Sequence, residues 1–168
     1  MSETILVTGA SAGFGQAICR RLVADGYRVI GSARRIEKLQ ALQEELGEAF
    51  YPLQMDVTDL SQVDHALASL PKAWEKVDVL VNNAGLALGL APAYEAEVAD
   101  WLTMIQTNIV GLTYLTRKIL PQMVERNDGY IINLGSTAGT VPYPGANVYG
   151  ASKAFVKQFS LNLRADLA

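Results

Sequence analysis

The sequence predicts an α/β fold built on a doubly wound parallel sheet. Three observations lead there: short β-branched apolar runs alternate with segments of helical periodicity, a glycine-rich turn joins the first run to the first helix, and no repeat, low-complexity tract or linker marks a second domain.

Thr4-Ile5-Leu6-Val7-Thr8 is the first strand, and the turn Gly9-Ala10-Ser11-Ala12-Gly13-Phe14-Gly15 leads into a helix carrying Ile18, Leu22 and Val23 on its apolar side. Tyr27 to Ser32 is the second strand. Arg35 to Leu46 follows as a helix with Leu39, Leu42 and Leu46 on one side. Ala49 to Met55 is a third strand, Leu60 to Leu70 a helix, Val77 to Val81 a fourth strand and Ile131 to Leu134 a fifth. Between strands four and five, Val98 to Arg126 is helical, with apolar positions at Trp101, Met104, Ile105, Ile109, Leu112, Leu115, Ile119 and Met123; Pro121 is expected to kink this helix locally. Right-handed crossovers between five such strands predict the order 3-2-1-4-5 of a Rossmann-type sheet. The last helix starts near Val148 and reaches Ala168 with neither a capping glycine nor a following strand. The expectation is one domain over residues 1–168, lacking its C-terminal strands, with strand five as an open sheet edge.

A chain of 168 residues, 50% hydrophobic, buries one sizeable core. Its 14 basic residues are scattered and the net charge is −3, which leaves no electrostatic footprint for nucleic acid. Cys19 has no partner for an internal disulfide and suits a reducing compartment. The start Met1-Ser2-Glu3-Thr4 lacks a basic leader, and no apolar run approaches the roughly 18 residues of a membrane span, so a soluble cytoplasmic protein is expected. His65 is the only histidine, which excludes a multi-histidine metal site.

The glycine turn sets backbone N–H groups and a helix N-terminus above the carboxyl end of strand one, an arrangement that favours a pyrophosphate. Where an NAD-binding sheet offers an acidic residue to the ribose, this chain has Ser32-Ala33-Arg34-Arg35. A carboxylate repels a 2′-phosphate and a guanidinium grips it, so NADP(H) is the expected cofactor; the alternative is that one or both arginines only open the next helix. Asp56-Val57 ends strand three, where the carboxylate either accepts from an adenine amino group or caps the helix near Thr58-Asp59. Asn82-Asn83-Ala84-Gly85 ends strand four, with small residues and amides suited to close packing over a cofactor. Expected cofactor contacts along this edge are Gly9, Ser11, Gly13, Phe14, Gly15, Ser32, Arg34, Arg35, Asp56, Val57, Asn83, Ala84 and Gly85. Tyr149 and Lys153, four residues apart at the start of the last helix, share one face, so an ammonium can favour a phenolate.

Thr8 to Gly15, Asn82 to Gly85, Asn108, Ser136 and Tyr149-x-x-x-Lys153 together resemble the short-chain dehydrogenase/reductase family in its common short form. Within it, Asn82 to Leu90, Leu134 to Val141 and Asn147 to Leu163 are similar to the bacterial NADP-dependent 3-hydroxy acid dehydrogenases, which act on serine, allo-threonine or 3-hydroxypropionate. The resemblance covers essentially the whole chain and lacks the family's last third. It implies that Tyr149 is the general acid/base, that Lys153 binds the nicotinamide ribose and favours the Tyr149 phenolate, that Ser136 orients the substrate oxygen, and that Asn108 holds a water relaying protons to Lys153. An asparagine inside a helix makes a local distortion there reasonable. The expected function is hydride transfer between NADP(H) and a small 3-hydroxy acid; the alternatives are a non-catalytic NADP-binding sensor or scaffold, and a carbonyl reductase of another substrate class. Relatives pair their two long helices, so a homotetramer is expected, with Phe155, Phe159 and Leu163 on one stripe and Leu112, Leu115 and Ile119 on the other; the alternative is that these positions only pack on the sheet.

Overall fold

A computed structural model describes residues 3–168; Met1 and Ser2 lie outside the described residues. Five strands, β1 (Thr4–Thr8), β2 (Arg28–Ala33), β3 (Phe50–Gln54), β4 (Val79–Asn82) and β5 (Tyr130–Asn133), form one sheet in the order β3-β2-β1-β4-β5. Every pairing is parallel, as the alternation of strands and helices predicts.

Side chains alternate across a strand, and β1 is buried along its whole length, so its apolar run feeds two cores. Ile5 and Val7 point to the face covered by α1 (Gly13–Ala24) and α2 (Ile36–Leu46), where they meet Cys19, Val29, Leu39, Leu42 and Phe50. Leu6 points to the opposite face with Ile30, Val63, Leu80, Leu115, Ile119 and Met123. That face is covered by α3 (Leu60–Ala68) and α5 (Leu112–Arg126).

The single helix expected over 98–126 is divided. It consists of α4 (Val98–Ile105), a π turn (Gln106–Gly111) and α5, which runs through Pro121 to a left-handed cap at Asn127. The distortion expected around Asn108 is therefore present, and its form is a π turn. Gly111 ends this turn because its Cα lies against the loop after β3; a Cβ there stands 2.6 Å from the Val57 carbonyl oxygen. The last helix, α6 (Asn147–Asp166), packs beside α4 and is tied to β5 where Asn133 Nδ2 donates to Ser160 Oγ at 2.9 Å.

Leu112, Leu115 and Ile119 are 6%, 0% and 2% exposed. Leu115 and Ile119 pack in the core against the sheet and Leu112 is buried with them, so α5 does not present these residues as an assembly stripe. On α6, Phe155 stacks on Phe159 with ring centroids 5.8 Å apart and remains exposed. Among the described residues β5 pairs only with β4, leaving Tyr130 and Ile132 exposed along an open edge.

At the amino end of the sheet, buried Asp78 joins β1 to β4. Its Oδ2 accepts from Thr4 N at 2.9 Å, and Oδ1 lies 2.6 Å from Lys76 Nζ and 3.8 Å from Arg126 Nη2. No helix among the described residues is long and apolar enough to cross a membrane.

Candidate active site

The carboxyl ends of the strands open into a cavity of about 640 Å³. At one end lies the glycine turn. Gly9 and Gly13 hold φ of +70° and +54°, conformations that side chains resist, and a Cβ on Gly13 meets nothing within 4 Å. Ala12, the N-cap of α1, offers no capping side chain, and no acidic residue occupies the first turn. The uncapped N–H groups and the positive end of α1 therefore face the cavity, a fit for a pyrophosphate.

Thr8 holds this end rigid, a role the sequence motif did not single out. Its Oγ1 accepts from Asn83 N at 3.1 Å and Ala84 N at 2.9 Å, while Asn83 Nδ2 donates to Thr8 O at 2.8 Å. Asn83 lines the cavity, but its amide is engaged with the β1 backbone. Gly15 does not line it: a Cβ there stands 2.2 Å from Gly9 O, so this glycine lets helix and turn touch.

Ser32, Arg34 and Arg35 line the adjoining wall after β2. Ser32 Oγ is buried with no hydrogen-bond partner, a donor left over for a ligand. Arg35 opens α2 as its N-cap and reaches back to the glycine turn, donating to Ser11 Oγ at 3.2 Å. Gln54 Nε2 donates to the Arg34 carbonyl at 3.1 Å, and the exposed Arg34 guanidinium has no hydrogen bond among the described residues. Together these residues fit a 2′-phosphate. Asp56 and Val57 also line the cavity, and Asp56 Oδ1 accepts from Thr58 N and Oγ1, so one carboxylate oxygen serves the turn. The helix cap itself is Asp59, whose side chain accepts from Gln62 N.

Tyr149 and Lys153 stand at the other end with Ala84, Gly85, Leu86 and Leu134. Lys153 Nζ donates to Leu134 O at 2.9 Å and lies 6.0 Å from the centre of the Tyr149 ring. Burial pushes its ammonium below the ordinary lysine range. Asn108, 1% exposed, is brought close but not into the lining: Oδ1 accepts from Leu86 N, and Nδ2 donates to Leu86 O and Ser152 Oγ. The Ser152 hydroxyl in turn donates a hydrogen bond to Tyr149 O at 2.7 Å. Sequence reasoning missed Ser152; its place between Tyr149 and Lys153 on one helix was the available signal. Ser136, after β5, caps a short turn by accepting from Ala138 N at 3.2 Å and also stands outside the lining.

The sequence pattern of the family described as short chain dehydrogenase matches residues 3–168. The chain belongs to that family. Among its relatives, the NADP-dependent 3-hydroxy acid dehydrogenase YdfG of Salmonella typhi is 62% identical over 163 residues, 97% of this chain and 66% of the relative. The serine 3-dehydrogenase of Agrobacterium fabrum is 53% identical over 167 residues, 99% of this chain and 67% of that protein. The closed form of serine dehydrogenase complexed with NADP+ superposes with a TM-score of 0.96 at 60% identity, over 98% of this chain and 66% of that one. This family member thus spans about two thirds of the length of the curated relatives it matches.

Proposed function

We propose that this short chain dehydrogenase interconverts a small 3-hydroxy acid of the serine, allo-threonine or 3-hydroxypropionate type with its 3-oxo form, using NADP(H). The observation that carries the reading is the single cavity that has a phosphate-type glycine turn and two arginines at one end and a paired phenol and buried ammonium at the other. The names of the relatives supply the substrate class.

The bound dinucleotide supplies the hydride in reduction and takes it in oxidation. The Gly9–Gly15 turn and the α1 N-terminus hold its pyrophosphate, and Ser32, Arg34 and Arg35 hold the 2′-phosphate. Tyr149 gives its phenolic proton to the carbonyl oxygen as carbon is reduced, and recovers it from the hydroxyl in the reverse direction. Lys153, fixed by Leu134 O, holds the ribose and places positive charge beside the phenolate. Ser136 orients the substrate oxygen from the end of β5. Asn108 ties Leu86 to Ser152 beside this pair, and the proton relay runs past its position. Residues 1–168 act as one cofactor-binding unit in a cytoplasmic protein, a setting that suits the buried free thiol of Cys19.

The test mixes the protein with NADPH and a panel of 3-oxo acids, following nicotinamide absorbance. Tyr149→Phe is expected to lower turnover by about 10²–10⁴-fold while NADPH binding persists. Turnover unchanged in that variant overturns the assignment, and NADPH binding without any wild-type turnover favours a sensor. Assembly into a homotetramer through α6 is supported by the exposed Phe155 stacked on Phe159, and light scattering that finds a monomer removes it.

A further inference from the structure

The segment from Leu86 to Ala91 leaves β4 across the Tyr149 end of the cavity, which Leu86 and Ala87 line. It has no regular secondary structure, so its position depends on what grips it. At its first residue, Asn108 takes both Leu86 N and Leu86 O. In the middle, Leu88 N rests on Met104 Sδ at 3.4 Å. At its last residue, Asn147 Nδ2 donates to Ala91 O at 3.2 Å.

Asn147 has two further partners. Its Oδ1 accepts from Val148 N at 2.8 Å and from Trp101 Nε1 at 3.1 Å. One amide thus ties three elements at a point two residues before Tyr149: the segment after β4, helix α4 and the first turn of α6. The chemistry is specific, because the site needs an acceptor for two N–H groups and a donor for one carbonyl on the same short side chain. Its backbone φ of +20° suits asparagine better than most residues. The adjacent Gly145 lets the same two segments touch, since a Cβ there stands 2.4 Å from Leu90 O.

We infer that Asn147 is a positioning residue that docks the Leu86–Ala91 wall onto the helix carrying Tyr149, so that the substrate side of the site and the phenol are held as one body. Its consequence for turnover rests on the dehydrogenase reading above. The glycine turn and the arginines lie at the far end of the cavity, so the phosphate grip on the cofactor is expected to survive the loss of Asn147.

The decisive variant is Asn147→Asp, which keeps both acceptor bonds and the start of α6 but sets an oxygen against the Ala91 carbonyl. In the purified chain with NADPH and a reactive 3-oxo acid, kcat/KM is expected to fall about tenfold or more, the scale set by losing one positioning hydrogen bond, with the Kd for NADPH changing far less. Amide hydrogen exchange in the NADPH complex is expected to quicken over residues 87–91 and to stay the same over 9–15. Unchanged kcat/KM, or a parallel loss of NADPH affinity, overturns the inference. If the wild type shows no turnover, the dehydrogenase reading fails, and the exchange alone decides: faster exchange confined to 87–91 supports the docking role and unchanged exchange refutes it.

Discussion

Arg34 and Arg35 lie side by side in sequence yet differ in freedom. Arg35 is already hydrogen-bonded to Ser11, whereas Arg34 has its backbone held by Gln54 and its guanidinium free. Arg34→Glu is therefore expected to weaken NADPH binding by about tenfold or more and to leave NADH binding nearly unchanged, as separate fluorescence titrations with the two cofactors will show. The arginine pair was legible in the sequence because a basic residue where an acidic one is needed for NAD carries its own chemistry. The tether to Ser11 was not, because it depends on where the start of α2 falls relative to the glycine turn. Asn83 teaches the same lesson: its type suggested a cofactor contact, and folding directs its amide to Thr8.

The glycine turn and α1 make one element, and their junction is the tightest in the site. Gly15→Ala places a methyl carbon 2.2 Å from Gly9 O and 2.5 Å from Asn83 Nδ2, both parts of the frame. The expected cost is about 1–3 kcal/mol in urea unfolding, with weaker NADPH binding because the turn has to shift. Gly13→Ala meets no neighbour, and its cost comes from the positive φ alone, so it is the milder change. Strands and helices were legible because their periodicities are local. The split of the helix over 98–126 was foreshadowed only by Asn108, since a π turn is set by what the helix must touch at Val57 and Leu86. The assembly stripe on α5 was misread for a related reason: apolar spacing shows that a face is buried and does not say against what.

Across the whole molecule, the two ends of the sheet do different work. The carboxyl end is open for ligands, while the amino end is locked by Asp78. Burial alone raises the Asp78 pKa, but the Lys76 ammonium, the Thr4 N–H and Arg126 outweigh it and hold the carboxyl below its ordinary value of 3.8. Its contribution to stability is thus complete above that ordinary value and is lost as pH falls through the lower folded one. Asp78→Asn is expected to lose about 1–3 kcal/mol near neutrality and to show a flatter acid limb when unfolding is measured against pH. The sheet order was readable from the sequence, whereas this lock was not, because Asp78 meets Thr4 across 74 positions of chain. The π turn has a reach of its own. Each α-helical residue turns the chain by about 100° and a π turn takes in one residue more per turn, so forcing ordinary winding onto the same residues Gln106–Gly111 swings everything after them through about that angle. The azimuth of α5 would then carry Leu115 and Ile119 toward water while α4 kept its grip on Asn147. The turn works as a phase shifter, letting one continuous rod aim its first half at the reaction site and its second half at the core.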